Sequence, residues 1–566
     1  MRQQEKSIAF IVARLGSSRL PAKQLKRIGD KPLLAWAIAS LKQCREIDEL
    51  VIATTCEVEN DPLEALAADL GIGCFRYAGD PNHVTTRLRR AAETYQATLV
   101  TLLSGDWPLF YAPLIDARLS WLRQHPEANV LQLLPTPDAT ISAMGGVMVC
   151  RLTAWQLADD LAIEGDAWQR ENHFPAIFQM PQRFAVVTME QQPSNLPNLL
   201  IPPHLRLTVD VPADLKFMNE LHDQLQRQQQ PFDLPHVAAL LREQPEIGVM
   251  NAHVHQRTAA DRVYQVLVII DCGSTHGYGH LMRSVALGAR LTERYGWPVT
   301  FMIDDLHAER HLQRSHLKGV WGALAREVIS QPAESQIAKA KAQQFMAYDL
   351  VLLDVYPRTI PDSWRQLFRH DAKAIAIESF NTWTEQCNLA IVPALIYADT
   401  VPQRAVPYVC GREYTIIREE VMAVKRRHLA KDIDLLIYFH RQAQREVIAQ
   451  SAIPRHWRVE TVDGTNPDFP ELLARAHIYI GNFGYSYYES LYLSTLPVSL
   501  PISIRHGAEA KSFYRQMGMA DVTLTPESDL LAQLQQFRKQ GSDYSYLANG
   551  IDRIVATIGE EMAKSA

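Results

Sequence analysis

The first strand and loop of the chain decide the fold, and they read Ser7-Ile8-Ala9-Phe10-Ile11-Val12-Ala13-Arg14-Leu15-Gly16-Ser17-Ser18-Arg19-Leu20-Pro21-Ala22-Lys23. The apolar run from Ser7 to Val12 predicts a buried strand, and the glycine and serines after it predict a loop. In doubly wound sheets, ligands bind where the carboxyl ends of parallel strands meet such loops. The segment therefore predicts a ligand-binding loop at the edge of a parallel sheet.

This loop also concentrates positive charge. Arg14, Arg19 and Lys23 share one short segment, in which Gly16 and Ser17 allow close backbone approach and supply hydrogen-bond donors. Such a loop suits a triphosphate, although a solvated basic turn has the same composition. The carboxylates found further along the chain favour the first interpretation.

Short apolar strands alternate with amphipathic helical stretches almost throughout the chain, which predicts an α/β fold with helices on both faces of parallel sheets. The early predicted elements are strands at 7–12, 50–54 and 98–103 and helices at 33–44 and 62–70. A chain of 566 residues is too long for one hydrophobic core, so two or three domains are expected.

The composition excludes several classes of protein. A net charge of −6 gives no broad cationic field, so neither nucleic acid nor an anionic membrane surface is expected as a partner. The seven cysteines lie singly, which predicts neither a disulfide framework nor a thiolate zinc site and favours the reduced cytoplasm. No apolar run reaches the length of a membrane span, and no signal peptide is expected.

The predicted domain boundaries follow losses of periodicity. Residues 1–244 form the first predicted domain, 245–262 a linker, 263–425 the N-terminal lobe of a second module and 426–566 its C-terminal, nucleotide-binding lobe. His253 and His255 in the linker have no neighbouring Cys, Asp or Glu ligands, and are interpreted as polar linker residues rather than a metal site.

Two carboxylates follow predicted strand ends in the first domain. Asp106 lies in Ser104-Gly105-Asp106-Trp107-Pro108-Leu109, and Asp210 lies in Leu207-Thr208-Val209-Asp210-Val211-Pro212. Nucleotidyl transfer needs a divalent cation to neutralise the reacting phosphate oxygens, and Mg²⁺ takes one or two protein carboxylates together with phosphate and water oxygens. The two aspartates and the basic loop together predict this chemistry.

These three motifs occur in the same order in the cytidylyltransferases of spore coat polysaccharide type, and residues 7–220 resemble that family. It is similar to the synthetases that make CMP-activated sialic, pseudaminic and keto-deoxyoctulosonic acids. The resemblance implies a Rossmann-like, GT-A-like nucleotidyltransferase domain that uses CTP and a sugar or sugar acid. It implies that Arg14 and Lys23 are catalytic cations on the triphosphate and that Asp106 and Asp210 bind Mg²⁺. The nucleotide would also contact Ala13, Gly16, Ser17 and Arg19.

The chain departs from that family at two places. His83-Val84-Thr85-Thr86-Arg87 stands where such proteins often read Asp-Val-Leu-Asp-Arg, so the arginine is kept without the acids. Gly145-Gly146-Val147-Met148 stands where they often carry an Asp-x-Glu pair after a glycine. Both differences concern sugar specificity more than phosphate chemistry.

A second candidate site lies beyond residue 262. The predicted strand at 266–270 runs into a glycine-rich turn that ends with Gly279 and His280, and a helix follows directly. A helix N-terminus can stabilise phosphate, and a histidine there can exchange a proton. Near the chain end, Gly484, Ser486 and Glu489 repeat the pattern of strand, glycine turn and helix start; Ser486 would bond phosphate and Glu489 ribose hydroxyls.

Residues 264–520 resemble the hydrolases that release the sugar from a UDP-linked diacetamido-trideoxyhexose. The matching segments are Gly277 to Arg283, Asp354 in Leu352 to Tyr356, Gly411 to Arg418, and Gly484 to Glu489. The resemblance implies a two-lobed GT-B-like fold in which His280 activates water, or an acceptor hydroxyl, against a bound UDP-sugar. The family's paired aspartates are replaced near Glu378, and its Gly-Gly-Ser-Asp loop reads Tyr438-Phe439-His440-Arg441.

The sequence thus predicts a bifunctional enzyme of surface-glycan synthesis, in which CTP-dependent sugar activation is joined to UDP-sugar hydrolysis. Two alternatives stay open for the second half: a glycosyltransferase, and a catalytically degenerate module that binds a sugar or a protein partner. The sugar, and whether the chain forms a homo-oligomer, are left open.

Overall fold

A computed structural model describes most of the chain. The described stretches are residues 5–17, 19–133, 147–164, 167–171, 183–189, 205–255, 261–271, 279–303, 318–321, 348–355, 371–377, 387–392, 406–438, 456–462, 468–481, 483–501, 504–524 and 547–564, with the single positions 177, 180, 199, 453, 454, 466, 532, 534 and 535. The chain divides into two compact units, Met1–Asp261 and Arg262–Ala566.

Unit 1 is built on a seven-stranded sheet. In chain order the strands of the unit are β1 (Ser7–Val12), β2 (Arg27–Ile28), β3 (Lys31–Pro32), β4 (Glu49–Thr55), β5 (Gly73–Tyr77), β6 (Leu99–Ser104), β7 (Val130–Leu133), β8 (Val147–Arg151) and β9 (Val186–Met189). The order in the large sheet is β5-β4-β1-β6-β8-β7-β9, while β2 and β3 form a separate hairpin. Strand β8 runs antiparallel to β6 and β7, so the sheet is mixed rather than wholly parallel as the sequence pattern predicted.

Helices cover both faces of this sheet. They are α1 (Leu33–Leu41), α2 (Asp61–Asp69), α3 (Val84–Thr94), α4 (Ala112–Gln124), α5 (Leu152–Glu164), α6 (Ala167–Glu171), α7 (Pro212–Arg227) and α8 (Leu234–Glu243). Successive side chains of a strand point to opposite faces. Accordingly Ala9 and Ile11 of β1 join the core beneath α1, α4 and α7, whereas Ile8 and Phe10 join the core beneath α3 and α5.

The chain order reverses at β1, because β4 lies on one side of it and β6 on the other. Open α/β sheets bind ligands at the carboxyl ends of the strands at such a reversal point. The backbone N–H of Gly105, just after β6, donates to the Val12 carbonyl at 2.8 Å. This contact fixes the end of β6 against the end of β1, where the basic loop begins.

Residues interpreted from the sequence as the start of a linker pack against unit 1. Pro245–Asn251 form a 3-10 helix whose Ile247 joins the core beneath α7 and α8. Val254 packs with Val211 and Ala213, beside Asp210 in the chain. The last described part of unit 1 is therefore folded against the segment that carries Asp210.

Unit 2 contains two parallel sheets. Its strands are β10 (Val266–Ile270), β11 (Val299–Ile303), β12 (Lys318–Trp321), β13 (Leu350–Asp354), β14 (Lys373–Ile377), β15 (Leu389–Val392), β16 (Tyr408–Cys410), β17 (Ile433–Tyr438), β18 (Val459–Val462), β19 (Ala476–Gly481) and β20 (Leu496–Ser499). The first sheet has the order β12-β11-β10-β13-β14-β15-β16 and the second β18-β17-β19-β20. Every strand pair in both sheets is parallel, which confirms the α/β class for this half.

The described helices of unit 2 are α9 (Gly279–Tyr295), α10 (Glu419–Arg426), α11 (Phe469–Arg475), α12 (Tyr485–Tyr492), α13 (Ile504–Gln516) and α14 (Ile551–Ala563). Helix α14, which the sequence interpretation assigned to the C-terminal lobe, packs its apolar face into the core of the seven-stranded part. Arg290 of α9 also binds Asp552 of α14 at 2.7 and 3.0 Å. Among the helices in the described parts of the chain, none combines the length and apolarity needed to cross a bilayer.

Candidate functional site

The basic loop of unit 1 is anchored at its start by the neighbouring strand and turn. The Ala13 N–H donates to the Ala53 carbonyl at 3.3 Å, and the Leu15 N–H donates to Asn60 Oδ1 at 2.8 Å. Ala13 is buried, whereas Gly16, at the tip of the loop, is exposed. At the end of the loop Ala22 adopts a left-handed φ of 52°, and the 3-10 turn Lys23–Leu25 follows. The loop therefore leaves the sheet edge and returns Lys23 to it.

Lys23 joins the two predicted metal ligands. Its Nζ lies 2.9 Å from Asp106 Oδ2 and 2.8 Å from Asp210 Oδ1. Asp106 follows β6 and also accepts from Ser104 Oγ at 2.5 Å, whereas Asp210 precedes α7. Three segments that are distant in the chain thus meet at one ammonium group.

Asp210 is surrounded by cations. Besides Lys23, Arg19 Nη2 lies 2.9 Å from Oδ1 and Arg206 Nη2 lies 3.0 Å from Oδ2. Burial opposes the charge of Asp210, but the three cations outweigh it and hold the pKa of this carboxyl well below its usual range. Burial likewise opposes the charge of Lys23, and Asp106 and Asp210 outweigh it and raise its pKa.

Sequence reasoning did not single out Arg206 and Asp214, which complete the cluster. Asp214 is fully buried and accepts from the Asp210 N–H at 2.9 Å and from Arg206 Nη2 at 3.3 Å. The cluster therefore holds three carboxylates and three cations. The available signal was the position of Asp214, which is four residues after Asp210 and third in α7. An acid at the third position of a helix can bond the backbone at the helix N-terminus.

Arg14 does not join this cluster. Its Nη1 donates to Asn82 Oδ1 at 2.8 Å and to the Pro81 carbonyl at 3.3 Å, between β5 and α3. Arg87, one turn into α3, is 1% exposed, and in the described part of the chain none of its guanidinium nitrogens has a hydrogen-bond partner. Burial and the nearby charge of Arg14 lower the pKa of Arg87 to about 10. Arg14 and Arg87 thus form a second group of basic residues, which flanks the loop on the side of β4 and β5.

The donor set fits a magnesium ion that depends on its substrate for coordination. Asp106 and Asp210 offer hard carboxylate oxygens to the same point, and Mg²⁺ accepts one or two such ligands. Within the described ranges no group of three or more His, Cys, Asp or Glu side chains is arranged to hold a metal. An ion at this point would take its remaining ligands from phosphate and water.

In unit 2 the predicted catalytic histidine faces a buried acid. His280 lies in the first turn of α9, and its Nδ1 is 2.6 Å from Oδ1 of Asp354, the last residue of β13. Asp354 is fully buried and also accepts from Ser284 Oγ at 2.6 Å and from Arg283 Nε at 2.8 Å. Burial opposes the charge of Asp354, but Arg283 and His280 outweigh it and hold the pKa of this carboxyl well below its usual range.

The distal residues of unit 2 are engaged within the fold. Both oxygens of Glu489 bind Arg418, at 2.5 and 2.7 Å, and Glu489 is 2% exposed. Ser486 Oγ lies 2.9 Å from the Tyr479 hydroxyl, and Gly484 is the N-cap of α12. Ribose binding by Glu489 would therefore have to displace Arg418. A Cβ on Gly279 would meet no atom of the described residues within 4 Å.

Some features named from the sequence lie outside the described residues. They are the glycine turn at 272–278, the replaced segment at 378–380, the positions 439–441, and Gly145 and Gly146.

Comparison with known proteins places unit 1 in a family. Residues 8–243 match the cytidylyltransferase family. An uncharacterized protein of Methanocaldococcus jannaschii is 29% identical over 263 residues, which span 45% of this chain and 97% of that protein. The spore coat polysaccharide biosynthesis protein SpsF of Bacillus subtilis is 26% identical, over 38% of this chain and 86% of that protein. A 3-deoxy-manno-octulosonate cytidylyltransferase of Bdellovibrio bacteriovorus is 26% identical, over 25% of this chain and 57% of that protein. Residues 8–243 thus form a domain of the cytidylyltransferase family.

Proposed function

We propose that unit 1 transfers CMP from CTP to a hydroxyl group of a sugar or sugar acid. The observation that carries this proposal is the meeting of Asp106 and Asp210 at Lys23, directly beyond the basic loop. A triphosphate on the loop would face both carboxylates and the cations Lys23 and Arg19. The family match of residues 8–243 supports cytidine as the base.

The reaction balances with CTP and the sugar as the only reactants. The sugar oxygen forms a bond to the α-phosphorus, the bond from that phosphorus to the bridging oxygen breaks, and pyrophosphate leaves while the hydroxyl proton passes to solvent. Lys23 and Arg19 stabilise negative charge on the phosphates, and Asp106 and Asp210 would hold Mg²⁺. Bound Mg²⁺ supplies charge neutralisation at the phosphate oxygens.

We infer that the acceptor belongs to glycan biosynthesis. Two relatives support this assignment, one by the name spore coat polysaccharide biosynthesis protein and the other by the name 3-deoxy-manno-octulosonate cytidylyltransferase. A sugar acid would add a carboxylate, and Arg14 of the basic loop, which is only half-buried, suits an anionic substrate.

The test of this function is product analysis. The full chain is incubated with Mg²⁺, each of CTP, UTP, ATP and GTP, and a panel of sugar acids that includes 3-deoxy-manno-octulosonate. We expect pyrophosphate and a CMP-sugar from CTP alone. Release of orthophosphate instead of pyrophosphate, or equal turnover of all four nucleotides, would refute the assignment.

We propose as a second activity that unit 2 hydrolyses a UDP-sugar. The contact between His280 Nδ1 and Asp354 Oδ1 favours it. With Nδ1 donating to this carboxylate, Nε2 is the ring nitrogen that would accept a proton from water. Arg283 Nη2 lies 2.9 Å from Nδ1 and also contacts Asp354 Oδ1, so one carboxylate oxygen holds both groups.

In this reaction His280 Nε2 takes a proton from water and later returns it to solvent, and the water oxygen bonds to the anomeric carbon. The bond from that carbon to the diphosphate oxygen breaks, and UDP leaves with the electron pair. The full chain and its His280→Ala variant are incubated with UDP-sugars without an acceptor. Free sugar from the wild type alone is expected. Sugar transfer only when an acceptor is present would favour the glycosyltransferase alternative, and binding without turnover would favour the degenerate module.

A further inference from the structure

The strongest unexplained contact in unit 1 comes from beyond the part that matches the cytidylyltransferase family. Asn251 ends the 3-10 helix Pro245–Asn251 and is fully buried, whereas the family match stops at residue 243. Its Nδ2 donates to Asp214 Oδ1 at 3.0 Å and to the Arg206 carbonyl at 3.2 Å. The Asn251 side chain thus binds both Asp214 and Arg206, the two residues of the cluster that the sequence did not indicate.

The orientation of this amide is informative. Asn251 Oδ1 is buried and has no hydrogen-bond partner among the described residues, although an unpaired buried acceptor costs about 1 to 3 kcal/mol. Turning the amide over would place its oxygen against the Asp214 carboxylate. The observed orientation instead presents the amide nitrogen as a donor to Asp214 and to the Arg206 carbonyl.

Asp214 passes this restraint on to Asp210. Its Oδ2 accepts from the backbone N–H groups of Asp210 at 2.9 Å and of Val211 at 3.3 Å, and from Arg206 Nη2 at 3.3 Å. The same Arg206 nitrogen contacts Asp210 Oδ2 at 3.0 Å. The backbone and one carboxylate oxygen of Asp210 are therefore both oriented by groups that Asn251 holds.

We propose that Asn251 is a positioning residue for cytidylyl transfer, which orients Asp210 through Asp214 and Arg206. The segment that follows the family-matched domain is then part of the support of the phosphate site. This inference rests on the proposed function of unit 1. Outer partners that orient metal ligands typically change metal affinity or activity by about 10- to 100-fold when they are removed.

The test compares three variants of the full chain. Asn251→Ala removes both hydrogen bonds, Asn251→Asp keeps the shape but sets a second carboxylate against Asp214, and Asn219→Ala is the matched control. Asn219 is half-buried, and its Nδ2 likewise donates to two backbone carbonyls, those of Arg27 at 3.1 Å and Leu215 at 3.0 Å. The readouts are the Mg²⁺ concentration for half-maximal pyrophosphate release at saturating CTP, the Kd of CTP with and without Mg²⁺, and Tm.

We expect Asn251→Ala to raise the Mg²⁺ requirement by about tenfold or more and Asn251→Asp to raise it further. CTP binding without Mg²⁺ should change little, and Asn219→Ala should lower Tm without altering the Mg²⁺ requirement. If both Asn251 variants lower Tm and leave the Mg²⁺ requirement at the wild-type value, the residue is only structural and the inference falls. If the wild type binds no CTP with Mg²⁺, the proposed function itself falls and the inference with it.

Discussion

Lys23 Nζ lies 2.8 Å from Asp210 Oδ1, although 187 residues separate them in the chain. The same nitrogen lies 2.9 Å from Asp106, so that a loop after β1 and an acid after β6 are tied to an acid two residues before α7. Lys23 thus compensates the charge of both carboxylates. A triphosphate and a divalent cation would give both the lysine and the acids new partners of opposite charge.

The two carboxylates are expected to be needed for turnover but not for folding. Asp106→Asn or Asp210→Asn keeps the side-chain shape and removes one charge, which should lower CTP consumption by about 100-fold or more. Steady-state pyrophosphate release measures this, with circular dichroism as the check of folding. Asp116→Asn is the control, because Asp116 only accepts from the backbone of Arg45 and Glu46. Unaltered CTP consumption in both site variants would contradict the assignment.

Gly105 is expected to tolerate no side chain. A Cβ at this position would lie 2.4 Å from the Val12 carbonyl oxygen, and neither backbone segment can yield without moving the end of β6. Gly105→Ala should therefore destabilise unit 1 by about 1 to 3 kcal/mol and reduce turnover, since Asp106 is the next residue. Urea unfolding and pyrophosphate release measure the two effects. The control is Ala97→Gly, since Ala97 is a buried core residue shortly before β6, and we expect this change to lower stability without reducing turnover. Wild-type turnover in Gly105→Ala would contradict this account.

The pH dependence of stability should carry the signature of Asp210. Its pKa is lower in the folded state than the ordinary 3.8, so the unfolded state binds the proton more readily. The stabilisation from its ion pairs is present above pH 3.8 and is lost as the pH falls below that value, by up to about 1.4 kcal/mol per pH unit for one proton. Urea titrations at pH 5, 4 and 3 should give a shallower loss for Asp210→Asn than for the wild type. Parallel curves would show that the pair contributes nothing.

Arg87 is expected to lower the free energy of unfolding of the protein when no substrate is bound. A buried guanidinium without a partner is unfavourable, and burial with the neighbouring Arg14 lowers its pKa to about 10. Arg87→Met keeps most of the side-chain volume and should raise the free energy of unfolding by about 1 to 3 kcal/mol without ligand. Arg118→Met should raise the free energy of unfolding by less, because in the wild type Arg118 Nη1 donates to the Val147 carbonyl at 3.2 Å. A less stable Arg87→Met protein would mean that this guanidinium is paired.

Much of the fold was accessible from local patterns. The strand predicted at 7–12 has the bounds of β1. The strands predicted at 50–54 and 98–103 correspond to β4 and β6, and each of their ends differs by one residue. The antiparallel direction of β8 was not predicted, because hydrophobic periodicity indicates that a segment is a strand but not whether its neighbours run in the same direction.

The site was accessible in part because Asp106 and the basic loop that carries Lys23 follow strand ends, and loops at one sheet edge meet in space. Asp210 was also predicted to follow a strand, and that prediction was wrong, because residues 205–210 form no strand and Asp210 lies in the irregular segment before α7. Asn251 and Arg206 were missed because they act through other side chains, and no local spacing reveals a hydrogen bond between α7 and a 3-10 turn 37 residues later. Asp354 was noted in unit 2, but its contact with His280 depends on the parallel pairing of β10 and β13.

The central claim is that the basic loop and the two aspartates form one site for CTP and Mg²⁺. Isothermal titration of the full chain with CTP, UTP, ATP and GTP, each with and without Mg²⁺, tests it most directly. We predict one CTP bound per chain, tighter with Mg²⁺ than without it, and a loss of that Mg²⁺ effect in Asp106→Asn and Asp210→Asn. A Kd for CTP that is the same in the wild type and both variants, with Mg²⁺ present, would contradict it.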